Sequence, residues 1–337
     1  MRKNPIRRLA ALALCLAIAV SLTACGKTEP PVEATATPQP TATPVPTATP
    51  EMTETPQPTA ETPAETPAEG DAITRYMETM TLREKVGQLF FVRPDALDPA
   101  QSPGEINSSE TVGVKTLTEE MRSVLTAYPV GGVAIFGKNI SDPETLRAFT
   151  SDLSGAVRVP MFLGVDEEGG LVARLANNAA FSLPKYESAA AVGASGDSAA
   201  AEDMGRTIGA YSAEYGFSVD FAPVADVYTN PANTVIGSRA FSTDAYTAAQ
   251  MAGACARGLA SQGVLPVYKH FPGHGDTAED SHTDLAVTYK TREGLENCEL
   301  LPFAADTGLH AVMVGHIAAP NVTGDMTPAT LSPTLIG

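Results

Sequence analysis

Short apolar runs separated by longer amphipathic stretches set the rhythm of this chain from about residue 81 onward. FFV at 90–92, GVAIF at 132–136, MFLGV at 161–165, FSVDFAPV at 217–224, LPVY at 265–268 and AVMVG at 311–315 are too short for helices and largely β-prone, so each reads as a buried strand. Between them apolar positions recur at helical spacing. Thr81 with Glu84 forms a capping box ahead of Val86, Leu89 and Phe90. Ser141, Asp142 and Pro143 open a helix whose Leu146, Phe149, Leu153 and Val157 share a face, and further helices are predicted near 198–215, 243–262 and 293–306. Six alternations of strand and helix predict an α/β fold on a parallel sheet.

Two architectures fit that alternation, a doubly wound sheet and a (β/α)8 TIM-type barrel. No GxGxxG follows the first strand, and polar candidates follow several different strands: Asp166, Asp226, Lys269 and His316. Functional groups converging from many strand ends favour the barrel, incomplete here, with about six of eight strands countable before Gly337. Asp226 and His316 read equally well as functional groups or as residues that satisfy loop hydrogen bonds.

Upstream of residue 72 the pattern changes character twice. Arg2, Lys3, Arg7 and Arg8 precede an apolar stretch from Leu9 to Val20, followed by Leu22, Thr23, Ala24 and Cys25. That stretch is short for a membrane span, and small residues directly before a cysteine resemble the processing site of bacterial lipoproteins. The expectation is a signal peptide over 1–24, a lipid on Cys25, and a protein held at the outer face of the cytoplasmic membrane. Residues 25–71 follow as a spacer in which Thr28 to Glu69 are built almost wholly from Thr, Pro, Ala and Glu, with no lysine or arginine. Such a segment cannot form a core and acts as a semi-rigid spacer, reaching up to roughly 130 Å at about 3.1 Å per residue. Removing the four basic residues of the signal takes the net charge from −17 to −21, which argues against nucleic acid as a partner. Cys15 leaves with the signal and Cys25 takes lipid, so Cys255 and Cys298 remain in the folded part, and their pairing is not deducible.

The chemistry concentrates in Lys269 to His282, KHFPGHGDTAEDSH. Lys269 and His270 should close a buried strand at its C-terminal end, where α/β folds collect functional groups. Pro272, Gly273 and Gly275 then hold the remaining polar groups on an irregular loop. Asp280 and His282 are two residues apart. On an extended segment they project to one side, and a carboxylate beside an imidazole fixes its tautomer and raises its basicity. His270, His274, Asp280 and His282 also form a set that can ligate metal, although glycine and proline deny them the spacing of common zinc motifs.

These segments resemble glycoside hydrolase family 3, specifically its bacterial β-N-acetylglucosaminidases. The likeness runs from about Thr81 to Gly337 and includes TLREKVGQLFFV, GGVAIFGKNI, DEEGGLVAR at 166–174, VDFAPVADV at 219–227, IGSRAF at 236–241 and KHFPGHGDTAEDSH. It implies that 72–337 is the family's N-terminal barrel domain and that the substrate is a terminal β-linked GlcNAc of peptidoglycan fragments or related glycans, hydrolysed with retention and without a cofactor or metal. Carried over by motif, Asp166, Arg174, Arg239, Lys269 and His270 hold the sugar through charge-assisted hydrogen bonds. In the same resemblance His282, supported by Asp280, is the acid/base group. His274 is left as a brace within the loop. Leu171 departs from the family, which often has arginine there. The nucleophilic aspartate that retention requires is expected beyond Gly337. Two alternatives stand beside this reading, a non-catalytic GlcNAc-binding lipoprotein and a metal-dependent hydrolase.

Overall fold

The computed structural model describes residues 69–281, 284–305, 308 and 310–337. These belong to one unit, Glu65–Gly337. The signal segment, Cys25 and the spacer up to residue 68 lie outside the described residues. The helix Glu69–Glu78 starts three residues ahead of the boundary expected at 72.

Each apolar run contributes a strand to one sheet: β1 (Phe91–Val92), β2 (Gly132–Ile135), β3 (Phe162–Val165), β4 (Val219–Asp220), β5 (Leu265–Phe271) and β6 (Ala311–Val314). They pair in chain order and every pair is parallel. A doubly wound sheet would reverse its direction of travel at a switch point. Here each new strand adds to the same edge, which is the winding of a barrel, and the six strands curl into part of one.

The connecting helices pack where their periodicity demands. Asp142 caps the helix Pro143–Gly155 by accepting the Thr145 N–H at 3.0 Å, and Leu146, Phe149 and Leu153 are buried in one core with Val133, Ile135, Leu163 and Val165. Each such aliphatic or aromatic side chain contributes roughly 1.5–3 kcal/mol on burial. The helices Ser198–Glu214 and Ala245–Ala260 meet through glycine. A Cβ on Gly205 would lie 2.0 Å from the Cys255 carbonyl oxygen, and one on Gly258 would lie 2.2 Å from that of Glu202. The small residues of AYTAAQMAGACARGLA therefore permit a close helix pair behind β4 and β5.

Three local expectations change. The Thr81–Glu84 capping box forms, but Val86, Leu89 and Phe90 stay exposed. The helix Leu82–Gly87 is six residues long and meets the sheet through backbone: Gly131 N–H donates to the Gly87 carbonyl at 2.9 Å, and a Cβ on Gly87 would sit 2.0 Å from Pro129 O. The helix expected over 293–306 splits into Arg292–Glu296 and Leu301–Ala304, because Pro302 cannot donate to the carbonyl one turn back. FSVDFAPV is a strand only at Val219–Asp220. Pro223 interrupts the ladder, and the chain then tracks β5 through Ala225 N–H to Lys269 O at 2.7 Å.

Candidate active site

The segment after β3 alternates its side chains. Asp166 and Glu168 face the cleft at the C-terminal ends of the strands, whereas Glu167 between them points the other way. Glu167 is fully buried and accepts the N–H groups of Leu175 (2.8 Å) and Ala176 (2.9 Å) and the Tyr211 hydroxyl (2.9 Å). Its own N–H donates to Asp220 Oδ1 at 3.0 Å. Burial pushes the Glu167 carboxyl up despite those donors, and burial pushes Asp220 well above the ordinary carboxylate range. These two groups tie the hairpin Glu167–Gly169/Val172–Ala173 to the sheet and so set where Asp166 and Glu168 emerge.

On β5, adjacent residues in a regular strand would face opposite ways. The register against β6 shifts between Lys269 and Phe271, so His270 is the extra residue of a bulge, and both Lys269 and His270 line the cleft. The strand runs to Phe271, past the Tyr268 end that the apolar run suggested. Lys269 is nearly inaccessible, with Nζ 2.8 Å from Asp166 Oδ1 and 2.5 Å from Glu168 Oε1. Burial alone would lower its pKa, but the two carboxylates outweigh that and hold the ammonium above its ordinary range.

Glu168 is the hub. It accepts both Nε (2.8 Å) and Nη2 (2.8 Å) of Arg239 in a bidentate pair, in addition to Lys269. Burial raises this carboxyl, yet Lys269 and Arg239 together overcome the penalty and hold it at about 2. Arg239 sits in the single turn Gly237–Arg239, and its Nη1 also donates to Val235 O at 3.1 Å. Arg174 approaches Asp166 more loosely, Nη2 to Oδ2 at 3.8 Å, and remains about a third exposed. Glu168 carries no role in the sequence reading, although its place two residues beyond Asp166 put it on the same face.

The irregular chain after β4 brings Asp226 beneath His270. Asp226 is inaccessible. Its Oδ2 lies 2.7 Å from His270 Nδ1, and its Oδ1 accepts the N–H groups of His270 (3.2 Å) and His274 (2.6 Å). Burial would raise this carboxyl, but His270 and those N–H donors hold it below its ordinary range. His274 braces the loop as expected: Nδ1 is 2.7 Å from Thr277 Oγ1 and Nε2 is 3.0 Å from Ser281 Oγ. Gly275 lets the loop pass the preceding chain, since a Cβ there would fall 1.9 Å from Val227 O.

Together these elements enclose a cleft of about 560 Å³ lined by Asp166, Glu168, Arg174, Arg239, Lys269 and His270, with Arg93, Ser281, His316, Phe136, Phe221 and Met313 completing the wall. All five residues expected to hold sugar converge there. His316 reaches the same cleft with Nδ1 2.7 Å from Thr330 Oγ1, and Arg93 lies over the Phe136 ring at 4.3 Å. Asp280 is half-buried, and its carbonyl accepts the Asp284 N–H at 2.9 Å. His282 lies outside the described residues. Among the described residues no cluster of three or more His, Cys, Asp or Glu side chains is arranged to hold a metal ion. Cys255 is buried, Cys298 is half-buried, and both are free thiols.

A part-barrel with paired carboxylates and cations at its strand ends suits a small polyhydroxylated ligand: planar cations and carboxylates match hydroxyl pairs, and Phe136, Phe221 and Met313 offer apolar wall to the faces of a ring. The chain belongs to glycosyl hydrolase family 3, whose N-terminal domain model matches residues 81–337. The beta-hexosaminidase LpqI of Mycobacterium tuberculosis is 38% identical over 226 residues, covering 66% of this chain and 56% of that protein, so the chain spans just over half the relative's length. A family 3 beta-N-acetylglucosaminidase from a Paenibacillus strain superposes with a TM-score of 0.66 at 33% identity, over 77% of this chain and 46% of that one. NagZ from Neisseria gonorrhoeae, solved with N-trifluoroacetyl-D-glucosamine, gives a TM-score of 0.58 at 31% identity, over 64% of this chain and 63% of that one.

Proposed function

We propose that this protein is a lipid-anchored β-N-acetylglucosaminidase that removes terminal β-linked GlcNAc from peptidoglycan fragments or related glycans at the outer face of the cytoplasmic membrane. The observation that carries the reading is the convergence of Asp166, Arg174, Arg239, Lys269 and His270 on one cleft, with Glu168 locking two of the cations in place. Relatives named beta-hexosaminidase and beta-N-acetylglucosaminidase support the sugar, as does a neighbour solved with an N-acylated glucosamine.

In this reading Asp166 accepts hydrogen bonds from ring hydroxyls, and Arg174, Arg239 and Lys269 donate to hydroxyl and acetamido oxygens. His282, oriented by Asp280, protonates the leaving oxygen and then activates water. The attacking carboxylate is a group separate from these. Asp166 and Glu168 are ill suited to that role, because each is already ion-paired to Lys269. A second reading, a sugar-binding protein without turnover, is supported by the same convergence of sugar-holding groups.

Hydrolysis of an aryl β-N-acetylglucosaminide by the full-length gene product tests both. Turnover that survives EDTA and is lost in His282→Ala supports the glycosidase. Binding of N-acetylglucosamine without turnover selects the binding protein, and loss of turnover on EDTA selects a metal-dependent hydrolase.

A further inference from the structure

We propose that Asp226 is a positioning residue that holds His270 with Nδ1–H turned to its carboxylate, so that whenever the ring is neutral it takes the Nδ1–H tautomer and presents a bare Nε2 to the cleft as a hydrogen-bond acceptor. The argument is geometric. Asp226 is wholly buried, and an ionised carboxylate can only accept. Its Oδ1 takes two backbone N–H groups, from His270 and His274, which fixes the plane of the carboxylate. Its Oδ2 then meets His270 Nδ1 at 2.7 Å, and the shared proton must be supplied by the ring. The His270 ring lines the cleft, and with Nδ1 turned toward Asp226 the nitrogen left to the ligand is Nε2. The His274 ring packs against it edge to face at 5.6 Å, which limits rotation.

The consequence is a specific polarity. Lys269, Arg174 and Arg239 offer donors only, and Asp166 and Glu168 offer charged acceptors. In the neutral ring so held, the bare imidazole nitrogen adds an uncharged acceptor, suited to a hydroxyl that donates there while accepting elsewhere. The ligand named here rests on the glycosidase reading, whereas the tautomer does not.

Asp226→Asn separates positioning from simple support. The amide oxygen still takes both backbone N–H groups, but the amide nitrogen now faces Nδ1 and donates, which moves the ring proton to Nε2. Imidazole ¹⁵N spectra at mildly alkaline pH, assigned by loss of the signal in His270→Gln, should show Nδ1–H in the wild type and Nε2–H in Asp226→Asn. Calorimetric binding of N-acetylglucosamine should weaken by about ten-fold or more in the variant, as expected for a reversed buried hydrogen bond. A wild-type ring protonated at Nε2, or unchanged binding by a variant whose tautomer has flipped, overturns the proposal. The wild-type spectrum decides the tautomer even if the variant does not fold. Should the wild type show Nδ1–H yet bind no N-acetylglucosamine, the positioning stands and the glycosidase reading fails.

Discussion

Glu168 shows how one side chain can govern several others. With two cations bound to it and little access to water, removing its charge leaves Lys269 and Arg239 short of a partner in a low-dielectric setting. Glu168→Gln should therefore cost about 3 kcal/mol of stability at neutral pH, read from urea unfolding. The pH dependence follows from the depressed carboxyl. The folded-state value of about 2 lies below the ordinary 4.5, so its contribution is fully present above about 4.5 and is lost as pH falls toward 2. The stability gap between wild type and Glu168→Gln should shrink over that window. Glu167 and Asp220, raised by burial, act in the opposite sense in both proteins and cancel in the difference. A gap that is constant from neutral pH to pH 3 would contradict the ion-paired carboxylate. Asp166 was legible in the sequence because it directly follows an apolar run; Glu168 was not, because alternation on an irregular hairpin has no signature of its own.

At the scale of the element, the loop after β5 depends on how closely it can pass its neighbour. Gly275 has no room for a side chain against Val227 O, whatever its backbone angles. Gly275→Ala should displace the loop, destabilise the fold by about 1–3 kcal/mol and weaken N-acetylglucosamine binding, because the same segment carries the N–H of His274 to Asp226. Unchanged melting and binding would show that the loop can shift without cost. The bulge in β5 is a second element-scale device. The apolar run LPVY marked the strand, but only pairing with β6 shows that Lys269 and His270 share a face.

For the whole molecule, anchoring and fold are separable. If Cys25 carries the lipid, Cys25→Ser should move the protein from the membrane fraction to the soluble fraction of cells while leaving sugar binding intact; membrane retention of the variant would count against the anchor. Among the described residues no helix is long and apolar enough to cross a membrane. The fold itself is organised by one rule, that each strand joins the edge left by the last. That order distinguishes a barrel's winding from a doubly wound sheet, and it aims every strand end at the same cleft.

What the sequence determined by itself was the set of elements and the chemistry available to them. Periodicity and capping located the strands and most helices, because burial of apolar faces is a local pattern written along the chain. Residue types in DEEGGLVAR and KHFPGHGDTAEDSH marked the polar candidates. Tertiary structure alone decided which of them meet. Lys269 and Asp166 are 103 positions apart, Arg239 and Glu168 are 71 apart, and His270 and Asp226 are 44 apart. No local rule encodes such distances. They follow from parallel pairing in chain order, which brings the ends of β3, β4 and β5 side by side and lets buried charges find the partners that make their burial tolerable.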